Sequence, residues 1–110
     1  MQSAQATEQV YSKLADDPDL AELVELFVAN LPQLLAALAQ NAGRKDWRSL
    51  GRAAHQLKGS SGCYGFDEIE SRAARLEDSC RRSLPEREIL SALDELEQLC
   101  GRVRTKRRPK

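Results

Sequence analysis

Between Leu20 and Leu38, large apolar residues recur at spacings of three and four: Leu20, Leu23, Val24, Phe27, Leu31, Leu34, Leu35 and Leu38. That rhythm follows the 3.6-residue turn of an α-helix with one face turned inward, and the two-residue period of a strand cannot use it. The spacing predicts a helix over 19–41. Pro32 is expected to kink it, because proline lacks the N–H and its ring crowds the carbonyl four residues back. Asn41-Ala42-Gly43 is expected to close it. Asp46 stands where it would cap a second helix running to about Ser61, and Asp67 where it would cap a third from Glu68 to about Arg82, with Ile69, Ala73, Leu76 and Cys80 inside. Pro85 suits the first turn of a fourth, whose stripe Ile89, Leu93, Leu96, Leu99 and Val103 extends to about Arg104. Ahead of all these, Val10, Tyr11 and Leu14 follow Thr7 and predict a short helix over 7–14. No alternating apolar run marks a strand. The predicted fold is therefore all-α: an antiparallel up-down-up-down four-helix bundle with a short extra N-terminal helix across one end.

A chain of 110 residues with 41% hydrophobic content supports one domain with a modest core, expected over 1–104, followed by a basic tail over 105–110. The longest uncharged apolar stretch, 27–42, is interrupted by Asn30, Pro32, Gln33, Gln40 and Asn41, so no membrane span is expected. No signal peptide is visible over 1–11, and the expectation is a soluble, cytoplasmic protein. Cys63, Cys80 and Cys100 are odd in number and form no C-x-x-C pair, which argues against a disulfide framework and a zinc site and leaves them as small hydrophobes in or near a reduced core. The formal net charge of zero hides an asymmetry: six of the 17 basic residues lie after residue 101 with no acid among them. Such a tail suits an anionic surface or a solubilising terminus, and it is read as the latter, with no nucleic-acid or membrane partner. One inward stripe per helix leaves no second apolar face, so a monomer is expected.

The only histidine, His55, faces away from this core. At about 100° per residue, Trp47, Leu50, Ala54, Leu57, Ser61 and Tyr64 share one arc and His55 projects roughly 140° from its centre. Gly51, Gly59 and Gly62 share its face at offsets −4, +4 and +7, although each glycine costs a helix about 1 kcal/mol relative to alanine. Something is expected to come close to the ring. The glycines also fit a fraying helix end, Gly62 better than Gly59. An exposed imidazole offers a neutral nitrogen nucleophile near pH 7, and attack on a phosphoryl group is its obvious use. Lys58 lies on the adjoining side, where an ammonium could sit beside a phosphate, though alone it reads as a solvated charge. Arg44, Lys45, Arg48, Arg52 and Lys58 face only Asp46 within that segment, a basic surface that suits an acidic partner or an anionic group. Gln56 points outward and is expected to touch a partner. Ser60 and Ser61 read as structural.

The run His55-x-x-Lys58-Gly59-Ser60-Ser61, followed by Gly65-Phe66 and Leu76-Glu77, resembles the histidine-containing phosphotransfer domain of two-component phosphorelays. The resemblance covers roughly 16–104 and includes Phe27 and Pro32. It implies a helical bundle whose histidine takes a phosphoryl group from the aspartyl phosphate of a receiver domain and passes it to another. By position it implies that His55 is phosphorylated, that Lys58 neighbours the phosphate and that Gly59 is the gap through which the receiver approaches. Glu77, 22 residues after His55, matches the place where related domains hydrogen-bond the ring. The partner contact is expected on this face, including Gln56, Gly51, Gly62, Arg48 and Arg52.

Neither a G-x-x-x-x-G-K run nor a G-x-G-x-x-G run after a strand is present, so no nucleotide site of its own is expected. No receiver-like acidic pocket is recognisable either, and the chain is read as a carrier without cofactor or metal, not an enzyme. The Mg²⁺ of the reaction is expected in the partner receiver. Response-regulator receivers or a hybrid histidine kinase are the expected partners. Two other readings compete: the phosphoacceptor segment of a chemotaxis-type kinase, and a helical adaptor that binds receivers without transfer.

Overall fold

A computed structural model of the protein describes residues 8–105, with four helices in chain order: α1 (Ala21–Gly43), α2 (Trp47–Cys63), α3 (Asp67–Arg81) and α4 (Glu86–Cys100). The connections span only 44–46, 64–66 and 82–85, too short for anything but reversal of direction, so sequential helices run antiparallel. Each helix lies against the next and α1 closes the ring on α4, while the diagonals α1–α3 and α2–α4 make no close approach. The bundle is the one the apolar spacing predicts.

The core is built from one stripe of each helix. Val24, Phe27, Leu31 and Leu38 come from α1, Leu50, Ala54 and Leu57 from α2, Ile69, Ala73 and Leu76 from α3, and Ile89, Leu93, Leu96 and Leu99 from α4. Ser61 is wholly buried in this row, and its hydroxyl donates to the Leu57 carbonyl, which removes the cost of an unpaired hydroxyl. The Phe27 ring stacks on Phe66 at 5.4 Å and meets Tyr64 at 5.6 Å, pinning the α2–α3 turn onto α1. Cys80 and Cys100 are buried as expected, and burial pushes the Cys100 thiol up to about 12. Cys63, the last residue of α2, is exposed.

Three further expectations need correction. Glu8–Leu14 form no helix, and Thr7 lies outside the described residues, as do 106–110 of the basic tail. Val10 instead forms a parallel bridge with Val103, donating to the Arg102 carbonyl and accepting from the Arg104 N–H. The Lys13 N–H donates to the Gly65 carbonyl and the Ser12 hydroxyl to the Tyr64 carbonyl, so this segment straps the α2–α3 turn. That bridge also explains why α4 stops at Cys100: Val103 is buried through the strap and not through a longer helix. Asp67 is the first residue of α3 and not its cap, its carboxylate pairing with Lys13 at 3.1 Å. α1 does close at Gly43 as expected, and the left-handed conformation beyond it is taken by Lys45 at φ 58°.

α1 passes uninterrupted through Pro32, and its outer side is more apolar than the stripe suggests. Leu23, Leu26 and Leu34 are exposed, so Leu23 and Leu34 drop out of the expected core and the premise for a monomer, an absence of outward apolar surface, does not hold for α1. With 23 residues and a mean hydropathy of 1.4 across its most apolar window, α1 meets the length and composition of a membrane-crossing helix despite its polar interruptions. In this structure its inner stripe is packed in the bundle core.

Candidate functional site

Asp46 starts α2 by accepting the Ser49 N–H at 3.1 Å, and this contact holds its carboxyl below the ordinary value. From that start, the 100° step turns Leu50, Ala54, Leu57 and Ser61 inward and leaves His55 outside, its side chain 63% exposed. The neighbouring α3 buries Ile69, Ala73, Leu76 and Cys80, which presents Glu77 on the rim beside the imidazole. His55 Nδ1 lies 2.9 Å from Glu77 Oε2, and the second oxygen, Oε1, lies 3.0 Å from Lys58 Nζ. One carboxylate therefore holds both the ring and the ammonium.

Glu77 is only 14% exposed, so its charge needs compensation. The Lys58 ammonium is the largest influence holding its carboxyl below the ordinary glutamate value; burial opposes it, and the hydrogen bond with His55 adds to the lowering. An ionised Glu77 at neutral pH can only accept, so the hydrogen of the His55 pair belongs on Nδ1. In the neutral ring Nε2 then carries the free lone pair, on a side chain that is largely exposed. Lys58 is placed differently from a free phosphate neighbour, because it is tied to Glu77 and two-thirds buried.

Two depressions flank the imidazole. One, of about 650 Å³ between α2 and α3, is lined by Trp47, Arg48, Arg52, Gln56, Cys80 and Arg81, with Gly51 in its floor. The other, of about 540 Å³ between α1 and α2, is lined by Leu34, Ala37, Leu38, Ala53, Leu57 and Gly59. Sequence reasoning missed the contributions of α1 and of Trp47 and Arg81. Their signals were present in the outward Leu34 and in Arg81 standing one turn after Glu77.

The three glycines separate by environment. A Cβ at Gly59 would meet nothing within 4 Å, so the space above it is open to a visitor. A Cβ at Gly51 would stand 3.2 Å from Cys80 Cβ, and this glycine is needed for close packing of α2 on α3. At Gly62 the Cβ would stand 3.0 Å from the Glu70 carboxylate, and Gly62 lines neither depression. Open space thus sets Gly59 apart, while Gly51 answers to Cys80 on α3 and Gly62 faces the movable end of the Glu70 side chain. Among the described residues, no group of three or more His, Cys, Asp or Glu side chains gathers as a metal site.

A helical bundle that presents one solvent-facing imidazole, oriented by a carboxylate and beside open space, has the parts of a phosphoryl carrier. The Hpt domain family model matches residues 22–106, and the chain belongs to the Hpt domain family. Hpt domains are phosphotransfer modules of two-component signalling that carry the phosphoryl group on histidine and work with receiver domains and histidine kinases. No curated protein and no solved structure matches the chain.

Proposed function

We propose that His55 Nε2 accepts a phosphoryl group from the aspartyl phosphate of one receiver domain and delivers it to the aspartate of another. The observation that carries this reading is the pair between Nδ1 of an exposed His55 and an ionised Glu77. In the forward step the Nε2 lone pair forms the N–P bond while the bond from phosphorus to the aspartate oxygen breaks, and the carboxylate leaves with that electron pair. The ring keeps its Nδ1 proton and becomes positive, and Glu77 stands opposite that new charge. Donation reverses the sequence, with Nε2 as leaving group. Lys58 positions Glu77 and offers a cation near the transferred group. The divalent cation and most transition-state stabilisation belong, on this reading, to the receiver. The chain acts as a carrier rather than an enzyme in its own right, and cytoplasmic receivers set its location.

The test is transfer from a radiolabelled phospho-receiver to the protein and to His55→Gln. Acid-labile, base-stable label on the wild type alone is the expected result. No label from a broad panel of receivers would remove the relay reading in favour of an adaptor.

A further inference from the structure

The groove between α2 and α3 holds positive charge that its surroundings do not neutralise. Most charged side chains near it are committed: Glu77 to His55 and Lys58, Asp78 to Arg81 and Arg82, Lys45 to Glu86. Arg48 and Arg52 are exposed, line the groove, and among the described residues neither has a carboxylate within 4.0 Å. Arg52 reaches Asp46 only as a long-range charge, weaker there than the Ser49 hydrogen bonds or Arg44. The opposite groove, beyond His55, is lined by Leu34, Ala37, Leu38, Ala53 and Leu57 together with the uncharged Gln56, Gly59 and Ser60, and no Asp, Glu, Lys or Arg side chain lines it. The imidazole thus stands between a cationic trough and an uncharged, largely apolar one.

We propose that the cationic groove receives an acidic segment of the receiver domain that exchanges phosphoryl with His55, with Arg48 and Arg52 each taking a carboxylate. This rests on the carrier reading above and adds the chemistry by which one receiver is preferred to another. Guanidinium groups suit the role because their paired N–H donors match a carboxylate in two parallel bonds. At 1.5 Å rise per residue, Arg52 and Arg48 stand about 4.5 Å and about 10 Å along α2 from His55, so the matching acids lie at similar distances from the receiver's phosphorylated aspartate. The charge difference between the two grooves fixes the docking direction, since reversing the partner would bury its carboxylates where no arginine or lysine lines the wall.

The test compares wild type with Arg48→Glu/Arg52→Glu in transfer from phosphorylated receivers whose flanking surface ranges from acidic to basic. Wild-type protein is first treated with phosphoramidate, a small phosphoryl donor, to establish that His55 accepts phosphate without a docked partner. Circular dichroism checks that the variant is folded. The groove assignment predicts at least a tenfold rise in KM of the variant for acidic receivers at low salt, with kcat little changed and the difference shrinking in about 0.5 M NaCl. Equal KM values for both proteins, with the wild type labelled by phosphoramidate, would overturn the groove assignment and leave the carrier reading intact. Absence of phosphohistidine from phosphoramidate and from every receiver would overturn the carrier reading itself. Quenching of Trp47 fluorescence by millimolar phosphate or ADP, with receiver KM indifferent to both arginines, would make the groove a small-anion site and overturn the assignment.

Discussion

Replacement of Gly59 separates stability from function with opposite signs. The glycine lies inside α2, one turn beyond His55, and nothing stands within 4 Å of a Cβ added there. Gly59→Ala therefore costs no packing and gains helix propensity worth about 1 kcal/mol. For a domain of this size that corresponds to a rise in Tm of roughly 4–8 °C. Gly59→Gln gains somewhat less, because its longer side chain loses rotamer freedom in the helix. Residues four apart on a helix have Cβ atoms about 5–6 Å from each other, so the glutamine carboxamide covers the open side of the imidazole where a receiver would land. The expected result for Gly59→Gln is a higher Tm with at least a tenfold slower transfer, about 1.4 kcal/mol lost at the encounter. Thermal circular dichroism and single-turnover transfer from a phospho-receiver measure the two quantities. A lowered Tm would show that the site is packed and not open. Undiminished transfer in the glutamine variant would refute the close-approach argument.

The other glycines of the site respond differently. Gly51→Ala brings two Cβ atoms to 3.2 Å, and because both are fixed to helix backbones, α2 and α3 must part. A net loss on the order of 1 kcal/mol is expected in urea denaturation despite the better helix propensity. Gly65 holds φ at +84°, and a Cβ there would stand 2.6 Å from Ser12 Oγ, so Gly65→Ala should cost on the order of 1–3 kcal/mol and loosen the 8–14 strap. Limited proteolysis near Lys13 would report the loosening; unchanged cleavage would argue against the strap. Glu77 has its folded-state pKa depressed, so its contribution to stability is present above its ordinary value of 4.5 and is lost as pH falls through the lower folded value. Glu77→Gln should accordingly be less stable than wild type at pH 7, with the gap closing below about pH 4.5; a gap independent of pH would contradict the charge pairing.

The helices were legible because their stripes are long and regular, and so was the outward placement of His55, which needs only the 100° step along α2. Its partner Glu77 was reachable only through resemblance, since nothing in a single sequence brings α3 beside α2. The same blindness explains the glycines. Helix geometry put Gly51, Gly59 and Gly62 on one face, but only the position of α3 shows that Cys80 and Glu70 crowd two of them. Residues 8–14 misled for a related reason: Val10 and Leu14 have helical spacing, yet their companions are Val103 and Gly65, far along the chain. Those long-range contacts outweigh the weak propensity of a short segment. Lys58 read as a mobile charge because its pairing with Glu77 crosses between helices. On α1, the spacing of Leu23 and Leu34 fits a core stripe, but the bundle covers a narrower arc than the apolar pattern offers.

The central claim is that Nε2 of His55 carries the phosphoryl group because Glu77 holds the proton on Nδ1. The most direct measurement is nitrogen-resolved NMR of the phosphorylated protein with ¹⁵N-labelled histidine, reading which ring nitrogen is coupled to phosphorus. The account predicts coupling to Nε2, with the Nδ1 proton retained and shifted by its hydrogen bond to Glu77. Coupling to Nδ1, or phosphate on any residue other than His55, would contradict it.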